Sequence, residues 1–237
     1  MVEVDGHQMS VYTEGTGETT LVFMSGGGTC SPILDFKSLY SLLSDEYQIA
    51  VVEKFGYGFS DIVDRNRDID VILEDTRAAL TAAGLTAPYV LCPHSMSGLE
   101  ALYWAQKYPD EVTAIIGLDM AVPQYYDSMP INHSLLKAAS RTATITMINE
   151  TESVKENAKK VELAGVPQLP MLLFISNGQG GTGFDEETWR EIPIEYISQV
   201  KDGKYIELDC PHYVHDYEYK TISESMIAFL KGNNITR

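Results

Sequence analysis

The sequence predicts an α/β fold in which a mostly parallel central sheet carries helices on both faces. Two observations predict it. Short apolar runs rich in β-branched residues alternate with longer amphipathic stretches, and 237 residues, 44% of them hydrophobic, are enough to bury one sizeable core. The strand-like runs are 9–12, 20–24, 48–52, 89–92, 113–118, 171–175 and 204–208. Between them lie helical patterns such as Ile69, Ile72, Leu73, Leu80 and Ala83, and later Ile222, Met226, Phe229 and Leu230, spaced to share one face. Strand followed by helix is the repeating unit, and the reading is a single domain over 1–237.

One stretch breaks that rhythm. Residues 122–169 are mixed in polarity and punctuated by Pro123, Pro130 and Pro167, with Pro170 just beyond. An excursion of that length after the carboxyl end of a strand is expected to form a small helical cap or lid insertion over a site.

Composition narrows the classes of partner. With 17 basic against 34 acidic residues and a formal charge of -17, no nucleic acid and no anionic membrane surface is expected as the main partner. Three cysteines without regular spacing make no disulfide framework and fit a reducing compartment. No run of eighteen apolar residues occurs, and the first residues lack the basic and apolar regions of a signal peptide. The default expectation is therefore a cytoplasmic chain with no membrane span. Oligomeric state is not legible.

The chemistry concentrates at strand ends. Tyr89-Val90-Leu91-Cys92-Pro93-His94-Ser95-Met96-Ser97-Gly98 runs from an apolar strand straight into a helix carrying Leu99, Leu102 and Ala105. A serine at such a junction sits on a sharp, strained turn, its hydroxyl above the sheet and a helix amino terminus behind it. Ser95 is the candidate nucleophile. The usual pattern is Gly-x-Ser-x-Gly, because the backbone approaches itself closely two positions either side; here Pro93 and Ser97 stand in those places, so the signature is relaxed. The bland alternative is a serine capping an ordinary helix.

Acyl transfer also needs donors for the charge that develops on the carbonyl oxygen. The amide of Met96, directly after the serine, is one candidate. The other is Gly27, in the loop Ser25-Gly26-Gly27-Gly28-Thr29, where glycines let amides turn toward a ligand. Neither this loop nor Gly56-Tyr57-Gly58-Phe59-Ser60-Asp61 completes a nucleotide-binding fingerprint, and no cofactor is expected.

A histidine in the loop after the last strand suits the general base, which makes His212 the candidate, with His215 packing or capping. A metal site of His212 and His215 with Asp209 and Cys210 lacks a recognised zinc pattern. His94 is expected as a wall of the site. The orienting acid is less direct, because the loop after 171–175 holds no carboxylate before Asp185. Asp119, at the end of the preceding strand and beside the strand of the nucleophile, is the favoured acid, with Asp185 or Asp209 as alternatives.

Taken together, the glycine loop at Ser25 to Thr29, the stretch Val52 to Asp61, the elbow at Ser95 and the loop at His212 resemble the α/β-hydrolase superfamily along nearly the whole chain, particularly its bacterial serine esterase-like members. Members often read Asp where Glu53 stands and His-Gly where Ser25-Gly26 stands. The placement of Asp119 is similar to that of the acid in pancreatic-type lipases. The resemblance implies a sheet of about eight strands, an insertion acting as a cap, no cofactor, and hydrolysis of a small-molecule acyl substrate such as a carboxylic ester. Met24, Met96 and Met120 either line an apolar acyl pocket or fill core. The rival expectation is a binding or regulatory protein with slow or no turnover on the same fold, which the missing carboxylate after Ile175 would favour.

Overall fold

The computed structural model describes residues 1–128, 143–180 and 182–235. Eight strands form one sheet: β1 (Val2–Val4), β2 (His7–Glu14), β3 (Thr20–Met24), β4 (Gln48–Glu53), β5 (Tyr89–Pro93), β6 (Val112–Leu118), β7 (Met171–Ile175) and β8 (Gly203–Glu207). Their order is β1-β2-β4-β3-β5-β6-β7-β8. β1 and β2 pair antiparallel with their neighbours and the remaining pairs are parallel. All seven strand runs expected from the sequence are present. The eighth, β1, is only three residues long, too short for an alternation signal. Its mark is the Asp5-Gly6 turn, whose φ values of 50° and 77° match the two-residue hairpin turn that Asp-Gly favours.

The strands of the middle of the sheet are buried on both faces, and their alternating side chains divide between two cores. Val22, Met24, Leu91 and Ile115 face one; Leu21, Phe23, Val90, Cys92, Ala114, Ile116 and Leu118 face the other. The first is covered by helices α3 (Ile69–Ala82) and α4 (Ser97–Lys107), through residues such as Leu73, Leu80, Leu102 and Trp104. The second is covered by α2 (Lys37–Tyr40), which follows α1 (Pro32–Asp35), and by α9 (Tyr219–Gly232), through Leu39, Tyr40, Ile222, Met226 and Leu230. α9 follows the short helix α8 (Val214–Tyr217). Asp68 caps α3 by accepting from the Asp70 and Val71 amides at 3.1 Å. No described helix is long and apolar enough to cross a membrane.

The stretch expected as an insertion contains α5 (Tyr125–Ser128) and the twenty-residue α6 (Ile145–Ala164); residues 129–142 of it lie outside the described residues. α6 does not stand off the domain. It packs along α4 and is fastened to the loop between β4 and α3 by buried polar contacts. Thr146 Oγ1 accepts from the Val63 amide at 2.9 Å and donates to its carbonyl at 2.6 Å. Asn157 Oδ1 accepts from the Ile69 amide, and its Nδ2 donates to the Arg67 carbonyl. At the centre, Glu150 meets Lys54 Nζ at 2.5 Å and the Tyr57 hydroxyl at 2.6 Å. Burial alone would raise the Glu150 carboxyl, but the Lys54 ammonium and then the Tyr57 hydrogen bond overcome it and hold it below its usual range.

Breaking such a pair from one side strands a buried charge, whereas removing both charges does not. Glu150→Leu is therefore expected to cost about 3–5 kcal/mol in urea unfolding, and Lys54→Met combined with Glu150→Leu to cost clearly less. Additive costs in the double variant would show that the two side chains are not coupled.

Candidate active site

β5 ends at Pro93, where the missing N–H is harmless: the next amide, of His94, donates to the Met24 carbonyl at 2.9 Å and keeps the strand ends together. The chain then turns sharply at Ser95, whose φ of +52° is unusual for a residue with a side chain. The turn is held by the Ser95 carbonyl, which accepts from the Gly98 amide at 3.0 Å and from the Ala121 amide at 2.7 Å. The close approach that the usual signature places two residues after the serine falls one residue later. A Cβ on Gly98 would lie 2.1 Å from the Ala121 carbonyl oxygen, while position 97 has room for a serine, whose hydroxyl donates to the Ser25 carbonyl.

The glycine loop after β3 lies directly against this turn. A Cβ on Gly26 would come within 2.7 Å of Ser95 Cβ. Among the described residues neither the Gly27 amide nor the Met96 amide has a hydrogen-bond acceptor, so both sequence-chosen donors are unspent. The next amide, of Gly28, donates to the Tyr57 hydroxyl at 3.4 Å, and Tyr57 in turn donates to Glu150. Burial, with the charge of Glu150 added, keeps the Tyr57 phenol well above its usual range and therefore protonated. Lys54 reaches the same neighbourhood, 3.5 Å from Ser97 Oγ.

His212 comes from the loop after β8 and stands over Ser95. Its Nε2 is 2.9 Å from Ser95 Oγ and its Nδ1 is 2.6 Å from Asp119 Oδ2. A carboxylate only accepts, so Nδ1 carries the hydrogen and Nε2 presents a lone pair to the serine hydroxyl. The loop is pinned at its backbone: the His212 amide donates to the Gln179 carbonyl at 2.8 Å, and the His212 carbonyl accepts from His94 Nε2 at 3.2 Å. His94 thus forms the wall expected of it. Burial, then the proximity of His215 and His212, pushes its pKa well below the usual histidine value.

Asp119 follows β6 with φ +51° and is 3% exposed. Its Oδ1 accepts from the Ser176 amide at 2.7 Å and from Trp189 Nε1 at 3.0 Å; its Oδ2 accepts from Ser176 Oγ at 2.6 Å as well as from His212. The loop after β7, which lacks a carboxylate, contributes Ser176 as a ligand of the neighbouring one. The alternatives for the acid are occupied elsewhere. Asp185 caps α7 (Glu186–Ile197), accepting from the Thr188 amide at 2.9 Å, and Asp209 Oδ1 accepts from Asn177 Nδ2 at 3.2 Å. Ser176, Trp189, Tyr57 and Glu150 were not legible as site residues, since each works through a partner distant in the chain. Of the three methionines, Met24 and Met120 are core, and Met96 is half-buried beside Gly27. His215 is not grouped with Asp209 and Cys210; it lies with His94 and Asp35.

A family model described as alpha/beta hydrolase fold matches residues 19–140, a span that holds the glycine loop, Ser95 and Asp119. The chain belongs to the α/β-hydrolase fold family. Within curated proteins this α/β-hydrolase is 54% identical over 126 residues to the uncharacterized protein YbdG of Bacillus subtilis, covering 53% of the chain and 39% of YbdG. It is 26% identical over 217 residues to the uncharacterized protein YqjL of the same organism, covering 86% of the chain and 83% of YqjL. The match thus spans well under half of the length of YbdG. Among solved structures, a thermophilic esterase from Thermogutta terrifontis superposes with a TM-score of 0.76 at 16% identity, over 98% of this chain and 96% of the esterase.

Helix α4, which carries the elbow, also buries a carboxyl. Burial raises the Glu100 pKa from 4.5 to about 7, against the opposing pull of Lys54 and a hydrogen bond from Thr76. The unfolded chain releases this proton near 4.5 and the folded one near 7, so between those values the folded state binds more protons and stability falls as pH rises. The loss amounts to about 3 kcal/mol, complete above about pH 7 and absent below about pH 4.5. Glu100→Gln is expected to flatten that slope in denaturant titrations at a series of pH values; an unchanged slope would assign the pH dependence to other groups.

Proposed function

We propose that the protein is a serine hydrolase that cleaves a carboxylic ester, or a closely related acyl bond, of a small molecule through Ser95, His212 and Asp119. The observation that carries this reading is the unbroken hydrogen-bond chain from Ser95 Oγ through His212 to a buried Asp119, built on a strained turn. Membership of the α/β-hydrolase fold family and likeness in fold to an esterase support it.

In this mechanism Ser95 Oγ attacks the acyl carbon as His212 Nε2 takes the hydroxyl proton. The Gly27 and Met96 amides receive the developing oxyanion, for which one such donor is worth roughly 3–4 kcal/mol. Asp119 holds the imidazole in the required tautomer and stabilises the imidazolium. His212 then gives the proton to the leaving alcohol, and water, activated by the same histidine, releases the acid and restores Ser95. No step calls for a cofactor. The insertion at 122–169 serves as the cap of the acyl site, with α6 as its fixed base. The rival reading is a binding or regulatory protein with slow or no turnover on the same fold, favoured by the absent carboxylate after Ile175; the contact of Asp119 with His212 supports the hydrolase reading instead.

The test is labelling by a fluorophosphonate probe together with hydrolysis of nitrophenyl esters of graded acyl length. Wild-type protein is expected to label and to hydrolyse, and Ser95→Ala to do neither. Asp119→Asn is expected to keep the fold and lose roughly 10³–10⁴-fold in kcat. A wild-type protein inert to both reagents would refute the hydrolase reading, and full activity in Ser95→Ala would refute the nucleophile.

A further inference from the structure

Beside the loop that carries His212, three side chains from separate parts of the chain converge without satisfying one another. Asp35 ends α1, His94 precedes the turn at Ser95, and His215 lies in α8. One donor atom from each lies within 4.8 Å of the others. His94 is 1% exposed and His215 is completely buried. Yet among the described residues Asp35 Oδ2, His94 Nδ1 and both ring nitrogens of His215 make no hydrogen bond. His215 Nε2 stands 3.3 Å from Asp35 Oδ2, close but without the alignment of a hydrogen bond. Buried polar atoms are nearly always paired, so four in one place call for a partner that side chains do not supply.

The chemistry of the group says which partner. His94 donates Nε2–H to the His212 carbonyl, so the lone pair left to it is on Nδ1. His215 has a lone pair on one of its two unspent nitrogens, and Asp35 offers a carboxylate oxygen. Two neutral imidazoles and a carboxylate are the donors of a borderline divalent transition ion and a poor set for Ca²⁺ or Mg²⁺, which take oxygen ligands. We propose that Asp35, His94 and His215 bind one Zn²⁺ ion, with a fourth position left for water. Tetrahedral Zn²⁺ with bonds of about 2.1 Å sets its donors about 3.4 Å apart, which the Asp35–His215 distance of 3.3 Å already meets. The widest pair, up to 4.8 Å apart, must close by about 1.4 Å. Asp35, its side chain 13% exposed, is the solvent end of the group and the way in. The formal charge of -17 draws cations toward the whole surface.

An ion there would join the segment after the glycine loop, the residue beside Ser95 and the helix that follows His212. It would act as a structural tie beside the site, independent of the hydrolase reading, because its readouts are binding and stability. Full-length protein stripped with a chelator is titrated with Zn²⁺ by calorimetry, and its Tm is followed with and without the ion. One ion per chain is expected, with a rise in Tm of about 5 °C at saturating Zn²⁺. Asp35→Asn and His215→Ala are each expected to weaken binding at least tenfold and to abolish the rise, while His7→Ala leaves both unchanged. Asp35 is partly exposed, so Asp35→Asn decides the matter if His215→Ala fails to fold. Three results overturn the proposal: no one-to-one binding to wild type, wild-type affinity in Asp35→Asn, or loss of binding in His212→Ala with affinity kept in Asp35→Asn, which would put the ion on the triad histidine.

Discussion

Four donor groups converge on the buried carboxylate of Asp119: the Ser176 amide and hydroxyl, the Trp189 indole and the imidazole of His212. A charge placed so far from water is tolerable only when its lone pairs are met in this way. The donors come from three stretches, the loop after β7, helix α7 and the loop after β8, so satisfying one charge aligns three segments. The histidine that faces Ser95 is the last of them. Its ring is fixed by the carboxylate on one side and its backbone by His94 and Gln179, which leaves Nε2 little freedom except toward the serine.

Most of this was legible because it is local. The strands announced themselves as short apolar runs, and Ser95 and His212 lie at strand ends, where an α/β sheet presents its reactive residues. Asp119 could be placed because β6 runs beside the strand of the nucleophile. The escapes were of two kinds. β1 is three residues long and stabilised by its hairpin more than by any pattern of its own. Ser176, Trp189, Tyr57 and Glu150 matter only through contacts with residues 29 to 96 positions away, and no spacing rule along the chain reports such a meeting. The relaxed elbow is a middle case. Pro93 and Ser97 looked like departures from a glycine rule, but the rule concerns backbone clearance, which Gly98 meets at Ala121.

The two sides of the serine are supported differently. On the histidine side the supports are charge and hydrogen bonds aimed at one carboxylate. On the glycine side the loop lies on the elbow by contact, Gly26 against Ser95, with the hydroxyls of Ser97 and Tyr57 fixing Ser25 and Gly28 at either end. Leaving the amides of Gly27 and Met96 unpaired costs stability, a cost consistent with the proposed role as donors held ready for a developing charge.

The Lys54–Glu150–Tyr57 cluster has a consequence for how such proteins diversify. Because Glu150 belongs to the stretch 122–169 while Tyr57 reaches the Gly28 amide, that stretch and the loop beside Ser95 are joined through one carboxylate. They are not modules that can be exchanged freely. An insertion grafted here from a relative would have to bring its own carboxylate to Lys54, or else arrive with a replaced loop between β4 and α3. Change in the stretch 122–169 on this scaffold therefore involves two stretches of sequence at once.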